Sequence, residues 1–185
     1  MLAYVFWHWR YPHIEKLSYQ QLLIDFHTAL RAQKPVGFDY STVFQVEHVP
    51  WRRMAGEAYE EWYILENSAA LDALNEAAIT GLCREPHHQV ARSAAGGTAG
   101  LYRLRASSGI TTAHVALWFA KPSGMSYETL YQTLQPQMKQ SLGTLWERQM
   151  VLGPAPEFCL QAPGDTALPA NFTASKTPLT QIWLG

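Results

Sequence analysis

The chain has 185 residues, enough for one ordinary domain with a core of its own. Only 16% are charged, against roughly 25% in an average soluble protein, while 12% are aromatic and the formal net charge is -1. That balance excludes a disordered chain, and without a dense basic stripe it argues against nucleic acid as a partner.

In chain order, the first segment is apolar or aromatic on both parities, with Val5, Trp7 and Trp9 on one and Tyr4 and Phe6 on the other. It reads as a strand near 3–10 buried on both faces. A helix near 18–33 follows, its large positions Tyr19, Leu22, Leu23, Phe26 and Leu30 on one face. Strands are expected near 37–48 and 58–66. A second helix near 68–81 would be capped by Ser68 and bury Leu71, Leu74, Ala78 and Leu82. The segment Glu85-Pro86-His87-His88 reads as a solvated connection. The glycine-rich Ala94 to Gly100 reads as a flexible approach to a strand near 98–106. It leads into a strand and not a helix N-terminus, so it is no phosphate cradle.

Beyond a link at Ser107-Ser108-Gly109, strands are expected near 112–120, 143–152, 156–161 and 178–184, with a helix near 126–141. The stretch Ala162 to Thr177 holds Pro163 and Pro169, which disfavour a helix interior, so it is expected to be a turn or an irregular loop.

These elements repeat. Ala3 to Pro12 parallels Ala113 to Pro122, and Ser18-Tyr19-Gln20-Gln21-Leu22 parallels Ser126-Tyr127-Glu128-Thr129-Leu130. Gly37-Phe38-Asp39-Tyr40 and Gly143-Thr144-Leu145-Trp146 follow in the same order, as do Glu61 to Leu65 and Glu157 to Gln161. Each copy reads strand, helix, strand, strand, helix, strand, the second helix being eroded in copy two. The chain divides into repeat 1 at 1–106 and repeat 2 at 110–185.

A βαββαβ unit is the ferredoxin-like split βαβ. Two such units, fused and packed sheet against sheet, resemble the dimeric α+β barrel superfamily. The resemblance covers nearly the whole chain and is topological. The implied fold is α+β, two ferredoxin-like repeats fused into a pseudo-dimeric barrel. The superfamily includes antibiotic-biosynthesis monooxygenases, haem proteins, small lactone isomerases and uncharacterised stress proteins, and fold alone does not choose among them.

Chemistry-bearing residues concentrate in copy one, which holds six of the seven histidines. His8, on an apolar strand, reads as a haem-iron ligand or proton shuttle, or as a buried histidine bonded to a neighbour. His27 borders the apolar face of the first helix and reads as a pocket residue or as a helix flank at the solvent boundary. Trp7, Tyr40, Trp62 and Tyr63 could line an aromatic pocket, or pack a core. Adjacent His87 and His88, with Glu85, have metal-ligand chemistry but diverging side chains, so no metal is assigned. Glu60 and Glu61 are neighbours on a strand and point to opposite faces, which excludes a facing carboxylate pair. Arg103 and Arg105 could pair with Glu60, Glu66 or a substrate carboxylate.

Cys83 and Cys159 are far apart and read as reduced thiols. With no secretory leader pattern and no apolar run near the roughly 20 residues of a membrane span, a cytoplasmic protein with no membrane partner is expected. The functional expectation is a small apolar or aromatic ligand in a pocket of repeat 1, with monooxygenase-like or isomerase-like chemistry. The alternatives are haem binding, and a non-enzymatic module that forms homo-oligomers.

Overall fold

The computed structural model describes residues 1–52, 56–107, 112–151 and 154–185. Among these residues nine strands form one sheet. They are β1 (Leu2–Arg10), β2 (Phe38–Val46), β3 (Ala58–Leu65), β4 (Ala94–Ser107), β5 (Val115–Phe119), β6 (Thr144–Val151), β7 (Phe158–Ala162), β8 (Ala174–Pro178) and β9 (Thr180–Leu184). Four α-helices join them: α1 (Lys16–Gln33), α2 (Ala69–Ala78), α3 (Arg84–Ser93) and α4 (Tyr127–Ser141), with a 3-10 turn at Gly81–Cys83. Among the described residues no helix is long and apolar enough to cross a membrane. Both cysteines are buried and free.

The sheet order is β8-β5-β7-β6-β4-β1-β3-β2-β9, and all its pairs are antiparallel. Within it β4-β1-β3-β2 and β8-β5-β7-β6 follow the ferredoxin-like order, joined edge to edge where β4 pairs β6. The two ends of the sheet, β8 and β9, are consecutive in the chain and separated only by Leu179, which is buried and donates its N–H to the His114 carbonyl at 3.0 Å. A single extended segment therefore pairs β5 with its first half and β2 with its second, and the sheet curls into a nearly closed barrel.

The double-sided burial expected of the first strand follows from this curl. Ala3, Val5 and Trp7 point into the barrel, where they meet Trp62, Tyr102, Trp118 and Trp146. Leu2, Tyr4 and Phe6 point outward beneath the helices, against Phe26, Leu30 and Leu74. β3 is buried along its whole length. The second half repeats the split: Ala116 and Trp118 face the barrel, and Val115, Leu117 and Phe119 face Leu130, Leu134 and Met138 of α4. Ser126 caps α4 by accepting the Thr129 N–H at 3.1 Å.

No helix forms between β7 and β8. Leu168 and Phe172 of that loop cover the outer face instead, with Phe172 edge-on to Phe119 at 5.6 Å.

Three expectations need correction. The second helix begins with Asn67 Oδ1, not Ser68, accepting the Ala69 and Ala70 N–H groups at 3.0 and 3.3 Å, and it ends at Ala78, so Leu82 is exposed and the supposed connection contains α3. Pro86 is tolerated there because it lies in the first turn, where its missing N–H has no partner to lose. The glycine-rich run is already strand: β4 begins at Ala94. A Cβ on Gly97 would lie 2.5 Å from the Phe6 ring, and one on Gly96 2.9 Å from the Trp9 ring. Glycine lets the aromatics of β1 lie across β4. Finally, Arg105 pairs with Glu147, across to β6, and Glu60 has no arginine partner among the described residues. Of the expected link, Ser108 and Gly109 lie outside the described residues, as does residue 152 at the expected end of β6.

Glu60 points into the barrel and is 1% exposed. The indoles of Trp7 and Trp62 donate to its two oxygens at 2.9 and 2.6 Å. Burial raises its pKa to about 7, against the pull of those two donors. Its folded pKa exceeds its ordinary value of 4.5, so the folded state binds the proton more tightly. Stability should then fall as pH rises through that window, by roughly 3 kcal/mol in all, and level off above it. Glu60→Gln should remove this slope, as urea midpoints measured from pH 5 to pH 8 will show.

Candidate functional site

Outside the barrel, between the sheet and α1, α2 and α3, lies a cavity of about 430 Å³. Tyr4, Phe6, His8, Glu61 and Tyr63 form its sheet side, and Phe26, Leu74, Ala78, His87, Val90 and Ala91 its helix side. His87, Val90 and Ala91 share a face of α3 by their three- and four-residue spacing. Gly96 and Gly97 contribute a wall without side chains.

The polar floor is centred on Glu61, 2% exposed and on the opposite face of β3 from Glu60. One carboxylate oxygen receives His8 Nε2 at 2.9 Å and has His27 Nε2 at 3.7 Å. The other accepts the Tyr63 hydroxyl. With Glu61 ionised, Nε2 of His8 carries a proton, and Nδ1 of a neutral ring accepts from the Tyr19 hydroxyl at 2.7 Å. The His8 ring is stacked between Phe6 and Tyr59, with centroids at 5.2 and 5.6 Å. His27 Nδ1 meets Ser41 Oγ at 2.8 Å, and its ring stacks on Tyr63 at 5.2 Å. Burial alone would raise the Glu61 pKa, but His8 and His27 beside it hold it well below the carboxylate range. The Tyr63 phenol is pushed well above its usual value by burial and by Glu61, so it stays a neutral donor.

The sequence-nominated residues divide. His8 and Tyr63 line the cavity. His27 sits behind them, wholly buried and not at the solvent boundary, because its ring completes the shell of Glu61. Trp7 and Trp62 are on the other face, bonded to Glu60 in the barrel. Tyr40 is partly exposed, beside a separate pocket of about 50 Å³ that Trp62 also lines. His87 is on the cavity wall, while His88 is exposed. Among the described residues no cluster of three or more His, Cys, Asp or Glu could hold a metal ion.

The walls do not fit a haem held by His8 or His27. Both nitrogens of His8 are engaged, His27 is screened from the cavity, and among the described residues no Lys or Arg lines it to meet propionates. Sequence reasoning missed Glu61 as the hub. The available signal was its place on a strand without solvent-facing positions, where a charge must find partners.

Three solved structures share this architecture. A candidate monooxygenase from Fusobacterium nucleatum superposes with a TM-score of 0.67 at 9% identity, over 99% of this chain and 93% of its own. A candidate monooxygenase from Lactobacillus acidophilus gives 0.63 at 10% identity, over 99% and 95%. An anthrone oxidase-like protein gives 0.55 at 8% identity, over 97% and 91%. The chain shares with them its fold, a ferredoxin-like α+β barrel. No protein-family model matches the chain, and no curated protein matches it. Within this ferredoxin-like barrel the cavity is lined by residues between Tyr4 and Gly97.

Removing the Glu61 carboxylate leaves the His8 imidazole and the Tyr63 phenol without their shared acceptor, and His27 without the charge beside it. Glu61→Ala should cost about 3–5 kcal/mol, and Glu61→Gln less, since an amide oxygen still accepts from His8 or Tyr63. Chemical denaturation at pH 7 measures both.

Proposed function

We propose that the cavity binds a small, largely apolar aromatic molecule and that the Glu61–His8 pair accepts a proton from it. The observation that carries this reading is an ionised carboxylate, backed by an imidazole, in the wall of an otherwise aromatic and aliphatic cavity. Apolar enclosure with a few convergent polar groups is how small-molecule sites are built. In a carboxylate–imidazole pair the imidazole takes the proton, at the Nδ1 that now faces the Tyr19 hydroxyl, and the buried carboxylate stabilises the charge that forms, Glu61 itself being a weak base.

Proton removal from an activated C–H is a step that isomerisation and the oxygenation of a carbanion have in common. The fold neighbours described as candidate monooxygenases and as anthrone oxidase-like are consistent with the second. We further read the chain as two ferredoxin-like units, 1–106 and 110–185, a division supported by their common strand order. On this reading the first unit carries the site, and the loop that replaces a helix in the second leaves no equivalent of α2 and α3 there.

Anthrone, a neutral tricyclic with an acidic methylene, tests the proton chemistry directly. The protein should accelerate exchange of that methylene with D2O, followed by proton NMR, and Glu61→Gln should lower the acceleration by roughly a hundredfold. Equal exchange with and without protein overturns the reading. Gly97→Val should weaken anthrone binding, because its side chain forces the Phe6 ring into the cavity.

A further inference from the structure

Most polar groups of the cavity are already spoken for. His8 is engaged at both nitrogens, and Glu61 accepts from His8 and from the Tyr63 hydroxyl. The Nδ1 of His87 is buried and closed to any ligand. Tyr4 differs. It stands on the outward face of β1, partly exposed, and lines the cavity. Its hydroxyl makes no hydrogen bond among the described residues, yet it is not one of the buried polar atoms left without a partner. It therefore opens on space that water can enter. Its ring lies 5.8 Å from that of Tyr63, its cross-strand neighbour on β3. Burial, and then the charge of Glu61, raise its pKa, and the Tyr63 phenol feels Tyr4 in turn. The hydroxyl end of Tyr4 thus leans toward the polar floor of the cavity and stays protonated.

We propose that Tyr4 is a specificity-determining residue of this cavity, whose hydroxyl donates a hydrogen bond to the carbonyl oxygen of an aromatic ketone. The proposal rests on the reading of the cavity as a small-molecule site and adds the class of molecule it prefers. A phenol shares an oxygen lone pair with its ring, so it donates more strongly than it accepts, and the matching ligand group is an acceptor. Among the described residues no Lys or Arg lines the cavity, and Glu61 brings a negative charge, so a carboxylate or phosphate is repelled and a neutral acceptor is favoured. The walls of Phe6, Phe26, Leu74 and Val90 take an apolar ring system. A carbonyl also acidifies the C–H bonds beside it, the kind of bond from which the Glu61–His8 pair is read to take a proton.

Fluorene and 9-fluorenone differ at one carbon, a methylene in the first and a carbonyl in the second. Fluorenone has no acidic C–H, so its binding is read apart from proton transfer. Equilibrium dialysis of both against wild-type protein, Tyr4→Phe and Asn75→Ala makes the test, with the infrared carbonyl band of bound fluorenone as a second readout. Tyr4→Phe should lower fluorenone affinity about tenfold and leave fluorene affinity unchanged, which shows that the cavity is still folded. The carbonyl band should lie at lower frequency on wild type than in a hydrocarbon solvent, and return to the hydrocarbon position on Tyr4→Phe. Asn75→Ala should change neither affinity. An equal loss of both probes in Tyr4→Phe, unchanged fluorenone affinity there, an unshifted band on wild type, or a fluorenone loss confined to Asn75→Ala would overturn the assignment while leaving the cavity as a ligand site. If neither probe binds wild type, the small-molecule reading itself falls and takes this inference with it.

Discussion

Glu61 holds a negative charge where water does not reach, and the first half of the molecule is arranged around that charge. An ion removed from water loses several kcal/mol of hydration, which only close, well-directed partners can offset. His8 and His27 flank one oxygen and the Tyr63 hydroxyl takes the other. These partners are themselves fixed, His8 by Tyr19 and His27 by Ser41. Tyr19 and His27 both come from α1, eight residues apart on its buried face. The helix is thus docked by polar contacts at two levels as well as by Leu23, Phe26 and Leu30. Ser41 in turn exchanges backbone hydrogen bonds with Gly185 at 2.9 and 3.1 Å, which ties the segment after β9 to the same network.

Consecutive carboxylates on one strand meet opposite fates because of the kind of partner each finds. Among the described residues Glu60 has two indole N–H donors and no cation, so burial dominates and its pKa rises to about 7. Glu61 has two imidazoles and stays ionised. The backbone alternation that separates them also separates two environments, a barrel packed with tryptophan and a cavity with room for a ligand. The barrel gives rigidity to β1 and β3, and their other faces carry the chemistry. A site built on strands clamped from behind is held more firmly than one built on loops.

Much of this was readable in the sequence. The two-sided apolar pattern of Val5, Trp7, Tyr4 and Phe6 foretold a strand with a core on each face. The prolines at 163 and 169 foretold the missing helix, and the Glu60–Glu61 step foretold opposite directions. Other features were hidden for physical reasons. Burial of Glu61 and His27 depends on partners from β1, β2 and β3 that meet only in the fold. Trp7 and Trp62 looked like pocket residues because an aromatic strand residue has the same signature on either face. α3 was masked by Pro86 and a polar surface, since its cavity-facing residues His87, Val90 and Ala91 make too short a pattern to announce a helix. The glycines of β4 looked flexible, and the reason for them, the rings of Phe6 and Trp9 lying across the strand, is a contact between distant parts of the chain.

The way the barrel closes bears on how the molecule comes into being. β2 is an early strand, but its outer partner is β9, near the far end of the chain. During synthesis on the ribosome, everything through α4 can emerge while β2 still offers a row of unpaired amides and carbonyls. β5 waits likewise for β8. Both vacancies are filled by one short run of residues on either side of Leu179, so a stretch translated after all the other strands seals both edges together. Until then the nascent chain is an open sheet with sticky margins, exposed to pairing with its neighbours. Such long-range closure also makes for slow folding.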